Sequence, residues 1–317
     1  MVLLDSCGKG MEYVAMRASY TKHNRTDAQY ILVKQSVFMG LFRNKDTNKN
    51  GKTNDKQPDI VDPDEQFNKG LRCFKSEPPD YECAYKWFKS AAEQNHPRAQ
   101  YNMGIIYQFG YGIKKDQAEA IRWYFKAAEN GLAEAQYNVG WAYEHGVGVK
   151  QDSKKAIEWY TRGAEQGLSS AQFNLGVIYR NGILVAKDNK EAKKWFRPPA
   201  EQGDTDAQVK LGLILCEEQD FKEAMKWLEK AVEAGDPEAH YNLGVFYKEG
   251  LGVDRDVNEA IRLYLFAAER GHISAQFNLA LMYHRGEGVE KDEDTATKWL
   301  RRAAEGGHPE ARAFFNM

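Results

Sequence analysis

A stretch of about 36 residues recurs along this chain, and a period of that length restricts the fold before any other property is weighed. "AQYNMGIIYQFGYGIKKD" at 99 is followed by "AQYNVGWAYEHGVGVKQD" at 135, "AQFNLGVIYRNGILVAKD" at 171, "AHYNLGVFYKEGLGVDRD" at 239 and "AQFNLALMYHRGEGVEKD" at 275. Self-alignment yields seven copies, with steps of 34 and 32 where a connecting loop is shortened. A Gly-rich phosphate loop is placed once in a fold. The repeated Gly110-x-Gly112 pattern is therefore read as a turn and not as a nucleotide site. Each copy holds two helix-length segments, such as 134 to 145 and 152 to 166 in the third. The expected fold is all-α: a right-handed α/α superhelix, a solenoid of about seven helix pairs.

The aligned columns state what such a scaffold needs. Asp80, Asp116, Asp152, Asp188, Asp220, Asp256 and Asp292 open every second helix, where a carboxylate accepts from orphan backbone N–H groups and complements the helix dipole. Four residues on stand Ala84, Ala120, Ala156, Ala192, Ala224, Ala260 and Ala296, which let paired helices approach closely. Three further on, Trp87, Trp123, Trp159, Trp195, Trp227, Leu263 and Trp299 read as core at helical spacing. Asn95 and Gly131, Gly167, Gly203, Gly235, Gly271 and Gly307 suit the left-handed residue after a helix. Just before them lie Glu93, Glu129, Glu165, Glu201, Glu233, Glu269 and Glu305. The dipole opposes a carboxylate there, so these are expected to bind N–H groups opening the next repeat. In the first helix, Gly70, Gly104, Gly140, Gly176, Gly212 and Gly244, with Ala280, mark a second close crossing.

These residues resemble Sel1-like repeats, the longer-looped relatives of tetratricopeptide repeats: the "AQYNLG"-like starts, the "GxGVxxD" links and "KAIEWYTRGAEQG". The resemblance covers 64 to 317, about four-fifths of the chain. It implies an adaptor that assembles protein complexes, in bacterial factors acting on host cells or in eukaryotic scaffolds. A cysteine-rich branch of the family is associated with β-lactam binding, but this chain lacks that branch's cysteine pair in each repeat.

Three segments are expected. Residues 1–62 do not fit the repeat; 27 to 42 could form an amphipathic capping helix, followed by a polar linker. Residues 63–203 hold repeats 1 to 4, and 204–317 hold repeats 5 to 7 with a C-terminal capping helix. The division rests on Pro198 and Pro199, ten residues into a second helix, and on the shortened copy after them. Asp46, Asn48, Asn50 and Gly51 match the start of a calcium loop, but Thr53, Gln57 and Pro58 depart from it, and no metal or cofactor is expected. Of four cysteines, Cys73 and Cys83 would sit on paired helices, where a bridge is conceivable, but reduced thiols are expected.

A formal net charge of −2 argues against a dedicated nucleic-acid binder. No apolar run is long enough to span a membrane, and Asp5 interrupts the start before a signal-peptide core could form, so a cytoplasmic protein is expected, with delivery into a host cell as a variant. Neither a metalloprotease, Walker nor Gly-x-Ser-x-Gly motif occurs. The expected function is a non-catalytic interaction scaffold holding a peptide or partner protein on its concave face; an effector or immunity-type binding protein is the alternative, and an enzyme comes third. If the first helices are oriented as in tetratricopeptide repeats, Tyr101, Tyr137, Phe173, Val209, Tyr241 and Phe277 face inward, with Ile105, Trp141, Val177, Leu213, Val245 and Leu281 beside them. Trp141 is the odd member, either local packing or a binding anchor. Glu144, His145, Arg180, Lys248, His284 and Arg285, one turn on, could orient a bound segment.

Overall fold

In the computed structural model, residues 62–317 are described; the expected capping helix at 27 to 42 and the calcium-like loop lie outside them. The described residues form two compact units, which part between Glu218 and Gln219. The first holds α1 (Pro63–Phe74), α2 (Tyr81–Glu93), α3 (Pro97–Phe109), α4 (Gln117–Glu129), α5 (Ala133–His145), α6 (Ser153–Glu165), α7 (Ser169–Asn181), α8 (Asn189–Glu201) and α9 (Thr205–Glu217). The second holds α10 (Phe221–Glu233), α11 (Pro237–Glu249), α12 (Val257–Glu269), α13 (Ile273–Arg285), α14 (Glu293–Glu305) and α15 (Pro309–Phe315). Within each unit every helix packs chiefly on its sequence neighbours, as a solenoid of helix pairs requires. No strand occurs among the described residues.

Each second helix starts where its aspartate can cap it. Asp116 accepts from Glu119 N–H at 3.0 Å, Asp152 from Lys154 and Lys155 at 3.1 Å, and Asp256 from Asn258 and Glu259 at 3.0 Å. The helices stop at left-handed residues such as Asn95 (φ 64°) and Gly131 (φ 88°). The alanine column is fully buried in six copies, and Ala296 is 5% exposed. Trp123, Trp159, Trp195 and Trp227 are buried core residues. A cation also covers the ring: Lys126 lies 4.0 Å from the Trp123 centroid, and Arg162 4.3 Å from that of Trp159.

The glycine column in the first helix marks where an aromatic ring crosses. A Cβ on Gly176 would lie 2.6 Å from the Phe196 ring, and one on Gly140 2.8 Å from that of Tyr160. The second glycine of each long loop lies against the preceding second helix, so a Cβ on Gly148 would sit 3.0 Å from Ile121. These loops turn the chain and lock one repeat to the last.

A column of buried amides joins successive repeats. Gln100, Gln136, Gln172, Gln208 and Gln276 each donate to the carbonyl eight residues earlier, those of Ala92, Ala128, Ala164, Ala200 and Ala268, at 3.0–3.2 Å. These acceptors lie at the ends of second helices, where i to i−4 bonding stops, and the glutamine amide adds to the backbone N–H that each carbonyl accepts from the left-handed residue three positions on. The Gln136 oxygen in turn accepts from Gln166 at 2.7 Å, so one side chain ties three helices.

Two expectations are corrected. Glu93, Glu129, Glu165, Glu201, Glu233, Glu269 and Glu305 are all exposed. Four of the following helices are capped instead by their own residues, His96 and Asp204 each accepting at 3.0 Å, Asp236 at 2.8 Å and His272 at 3.1 Å, while those after Leu132, Leu168 and His308 have no side-chain cap. Water screens the exposed carboxylates from the dipole, so no partner is needed. Cys73 and Cys83 are bonded as a disulfide, their Cα atoms 5.8 Å apart, a separation within the ordinary range for bridged pairs. α8 continues through Pro198 and Pro199 to Glu201, with Pro199 buried.

Candidate functional site

The first helices place the expected inward column at the contact between successive repeats. Tyr101 packs on Tyr124 (centroids 5.4 Å apart), Tyr137 on Tyr160 (5.4 Å), Phe173 on Phe196 (5.4 Å) and Tyr241 on Tyr264 (5.7 Å). The asparagine of the next repeat reaches back to the phenol: Asn174 donates to Tyr137 at 3.1 Å. Burial, with the Glu134 carboxylate, pushes the Tyr101 phenol up to about 12. Tyr241 and Phe277 stack on the N-cap histidines of the following helices, His272 at 4.4 Å and His308 at 4.0 Å. Tyr241 is 2% exposed and Val209 also 2%, so these two serve packing alone; the other members of the column are partly buried.

In the neighbouring column, Trp141 is half-buried. One side of its indole rests against the cluster of Tyr160, Leu175 and Ile178. The ring of His145, one turn on, stacks on it with centroids 4.6 Å apart, and His145 Nδ1 donates to the Trp141 carbonyl at 3.0 Å. The His145 side chain is 47% exposed. The backbone carbonyl thus fixes the imidazole, which in turn fixes the indole.

The polar residues divide by what holds them. Tyr160 donates to the Glu144 carboxylate at 2.6 Å, and burial together with that carboxylate raises the phenol's pKa. Arg180 is 8% exposed and makes a bidentate pair with Glu217 of the next repeat. Burial pushes the Glu217 carboxyl up, but Arg180, Lys187 and Asn189 together hold it below its ordinary value. Arg180 is therefore a repeat-to-repeat link rather than an open group facing a partner. The sequence could not reveal this, because its carboxylate comes from the copy with the shortened loop. Lys248 lies 3.2 Å from Glu249, and its side chain is 12% exposed. His284 pairs with Glu293 at 2.8 Å, and Arg285 is exposed. The structure thus brings Trp141, Glu144 and His145 together on α5, and puts Lys248, His284 and Arg285 in the other unit.

The second unit carries an open cavity of about 660 Å³ lined by Tyr283, Val289, Glu290, Lys291, Asp292, Glu293 and Asp294. Among the described residues, no group of three or more His, Cys, Asp or Glu side chains is placed to hold a metal ion, and no helix is long and apolar enough to cross a membrane.

Helix pairs with a buried alanine column in all seven copies, and glycine–aromatic crossings in five of them, define an α-solenoid repeat protein. The Sel1 repeat profile matches residues 66–96, 97–132, 133–168, 169–204, 205–236, 237–272 and 273–308, and the chain belongs to the Sel1 repeat family. A crystal structure of c5321, a protective antigen present in uropathogenic Escherichia coli strains displaying an SLR fold, is 32% identical, with a TM-score of 0.71 over 80% of this chain and 56% of that one. A Sel1 repeat protein from Oxalobacter formigenes is 33% identical, with a TM-score of 0.62 over 75% of this chain and 96% of its own. An uncharacterized protein of Neisseria meningitidis serogroup B is 36% identical over 59 residues, 19% of this chain and 13% of that protein. The chain thus spans about half the length of the E. coli protein and about an eighth of the Neisseria protein.

Proposed function

We propose that this chain is a non-catalytic interaction scaffold that holds a peptide or partner protein on the concave face of its first helices, with Trp141 as an anchor. Sel1-type folds commonly serve as protein-interaction scaffolds. The observation that carries the reading here is the Trp141–His145 stack: an indole in a column that is aliphatic in the other six copies, braced by an imidazole that is itself half in solvent. Tryptophan is enriched among the residues that dominate binding energy. The titratable columns support the non-catalytic reading, because the capping aspartates are bonded to backbone N–H groups and the carboxylates ending the second helices stand apart in solvent. Glu144 and His145, beside Trp141, would orient the bound segment.

The test is affinity purification of partners, followed by titration of one identified partner against the wild-type chain and Trp141→Ala. Loss of roughly 2 kcal/mol or more, about thirtyfold in Kd, in a variant of unchanged helicity supports an anchor on this face. A folded variant with unchanged affinity removes Trp141 from the site.

A further inference from the structure

The loops that join each first helix to its second share a backbone but differ in charge between the two units. In 62–218, aligned loop positions hold Lys114 and Lys150, and the first turns that follow hold Lys154 and Lys190. In 219–317, the column of Lys114 and Lys150 holds Asp254 and Glu290, and the column of Lys154 and Lys190 runs from Lys222 through Asn258 to Asp294, while Arg255 and Lys291 of the same loops are paired with Glu287 and Glu293. The capping aspartates are common to both units and bound to backbone N–H groups, so they do not cause the difference.

All of these side chains are exposed. None of the four lysines has a carboxylate partner among the described residues, and none of the three carboxylates has a basic one. The scaffold does not require either set, since the same loop closes with Lys114, Ala186 or Glu290 in one column. Ile183, 53% exposed in the loop of the fourth repeat, adds an apolar contact on the lysine side.

We propose that the lysine loop edge of residues 114–190 docks the acidic loop edge, residues 254–294, of a second copy of this chain, giving weak head-to-tail self-association. A second copy fits better than an unrelated anion because its carboxylates occupy the same columns on the same loop backbone. Successive carboxylates therefore recur at the interval of successive lysines. The two edges are different surfaces, so the contact is heterologous. It uses the loop edge and does not depend on the first-helix face. Exposed charges make it weak and sensitive to salt.

Sedimentation velocity of the full chain tests this at about 20 mM and about 300 mM salt, between which the screening length falls from about 20 Å to about 6 Å. The expected result is a sedimentation coefficient that rises with protein concentration in low salt, with the apparent Kd weakened at least tenfold in high salt. Lys150→Glu with Lys154→Glu abolishes the rise, as does Glu290→Lys with Asp294→Lys, and mixing the two variants restores it. Lys150→Gln with Lys154→Gln carries the same test if a reversed variant loses helicity. A concentration-independent monomer in low salt overturns the proposal, as does association that survives high salt or charge reversal, or a mixture that fails to associate.

Discussion

His240 lies flat on Phe266, the ring centroids 3.6 Å apart, in the column that holds a buried glutamine in the other six repeats. Its Nδ1 donates to the Asp236 carbonyl at 2.7 Å, and burial holds its pKa below the ordinary 6.5. The fold thus keeps the imidazole neutral where the unfolded chain would already take up a proton. Stability therefore falls as pH drops from above 6.5 toward the folded value, because the unfolded state binds more protons over that window. His240→Gln should flatten this part of the profile. Urea unfolding of both proteins from pH 7.5 to 5 checks it, and parallel profiles would refute it.

Gly176 sits beneath Phe196, and the two should be coupled. Gly176→Ala adds a Cβ that meets the ring at 2.6 Å. Overpacking of this kind costs about 1–3 kcal/mol, enough to exceed the gain of about 1 kcal/mol from alanine's helix propensity. The seventh repeat carries Ala280 with Leu300 in the position of Phe196. In a Phe196→Leu background the alanine should therefore cost less than in the wild type, as a double-mutant cycle in urea would show.

The amide column predicts a graded series. Gln136→Leu removes a bond to Ala128 and a bond from Gln166, leaving the Ala128 carbonyl only its backbone donors and the Gln166 amide without this acceptor. A loss of about 1–3 kcal/mol is expected for such a group. Gln172 makes the bond to Ala164 but has no partner on its oxygen, so Gln172→Leu should cost less. Equal losses in thermal or urea unfolding would show that the second bond contributes nothing.

Arg180→Met strips Glu217 of its bidentate partner while leaving Lys187 at 3.5 Å. A destabilisation of about 1–3 kcal/mol at pH 7 is expected for a partly buried pair whose carboxylate keeps other donors. Glu217 is held below its ordinary 4.5, so the stabilisation it supplies is present above that pH and lost as pH falls through the folded value. The gap between wild type and variant should close at acid pH, which unfolding at pH 7 and pH 3 would reveal.

Columns whose partner is the local backbone were legible in the sequence. An aspartate before a helix has its N–H groups within three residues, and a glycine after one needs no partner at all. The glutamine column was not read, although "AQ" opens copy after copy. Glutamine is an ordinary polar helix residue, and its acceptor belongs to the preceding helix. An unbroken polar column beside buried alanines was the signal available. The terminal glutamates were misread for the opposite reason, since an invariant charge suggested a partner where solvent suffices. At the candidate site, the helix face and the oddity of Trp141 were visible. The burial of Tyr241 and the engagement of Arg180 were not, because both depend on residues of the next repeat.

The side-chain hydrogen bonds from Asn174 to Tyr137 and from Arg180 to Glu217 each span 37 residues, about one repeat. In both bonds the partner is supplied by the adjacent copy. A gene encoding such a chain can therefore gain or lose a 36-residue block by unequal recombination and leave each junction chemically complete. Length becomes a heritable variable separate from fold, and the span of surface offered to a partner can change one repeat at a time without the scaffold being reinvented.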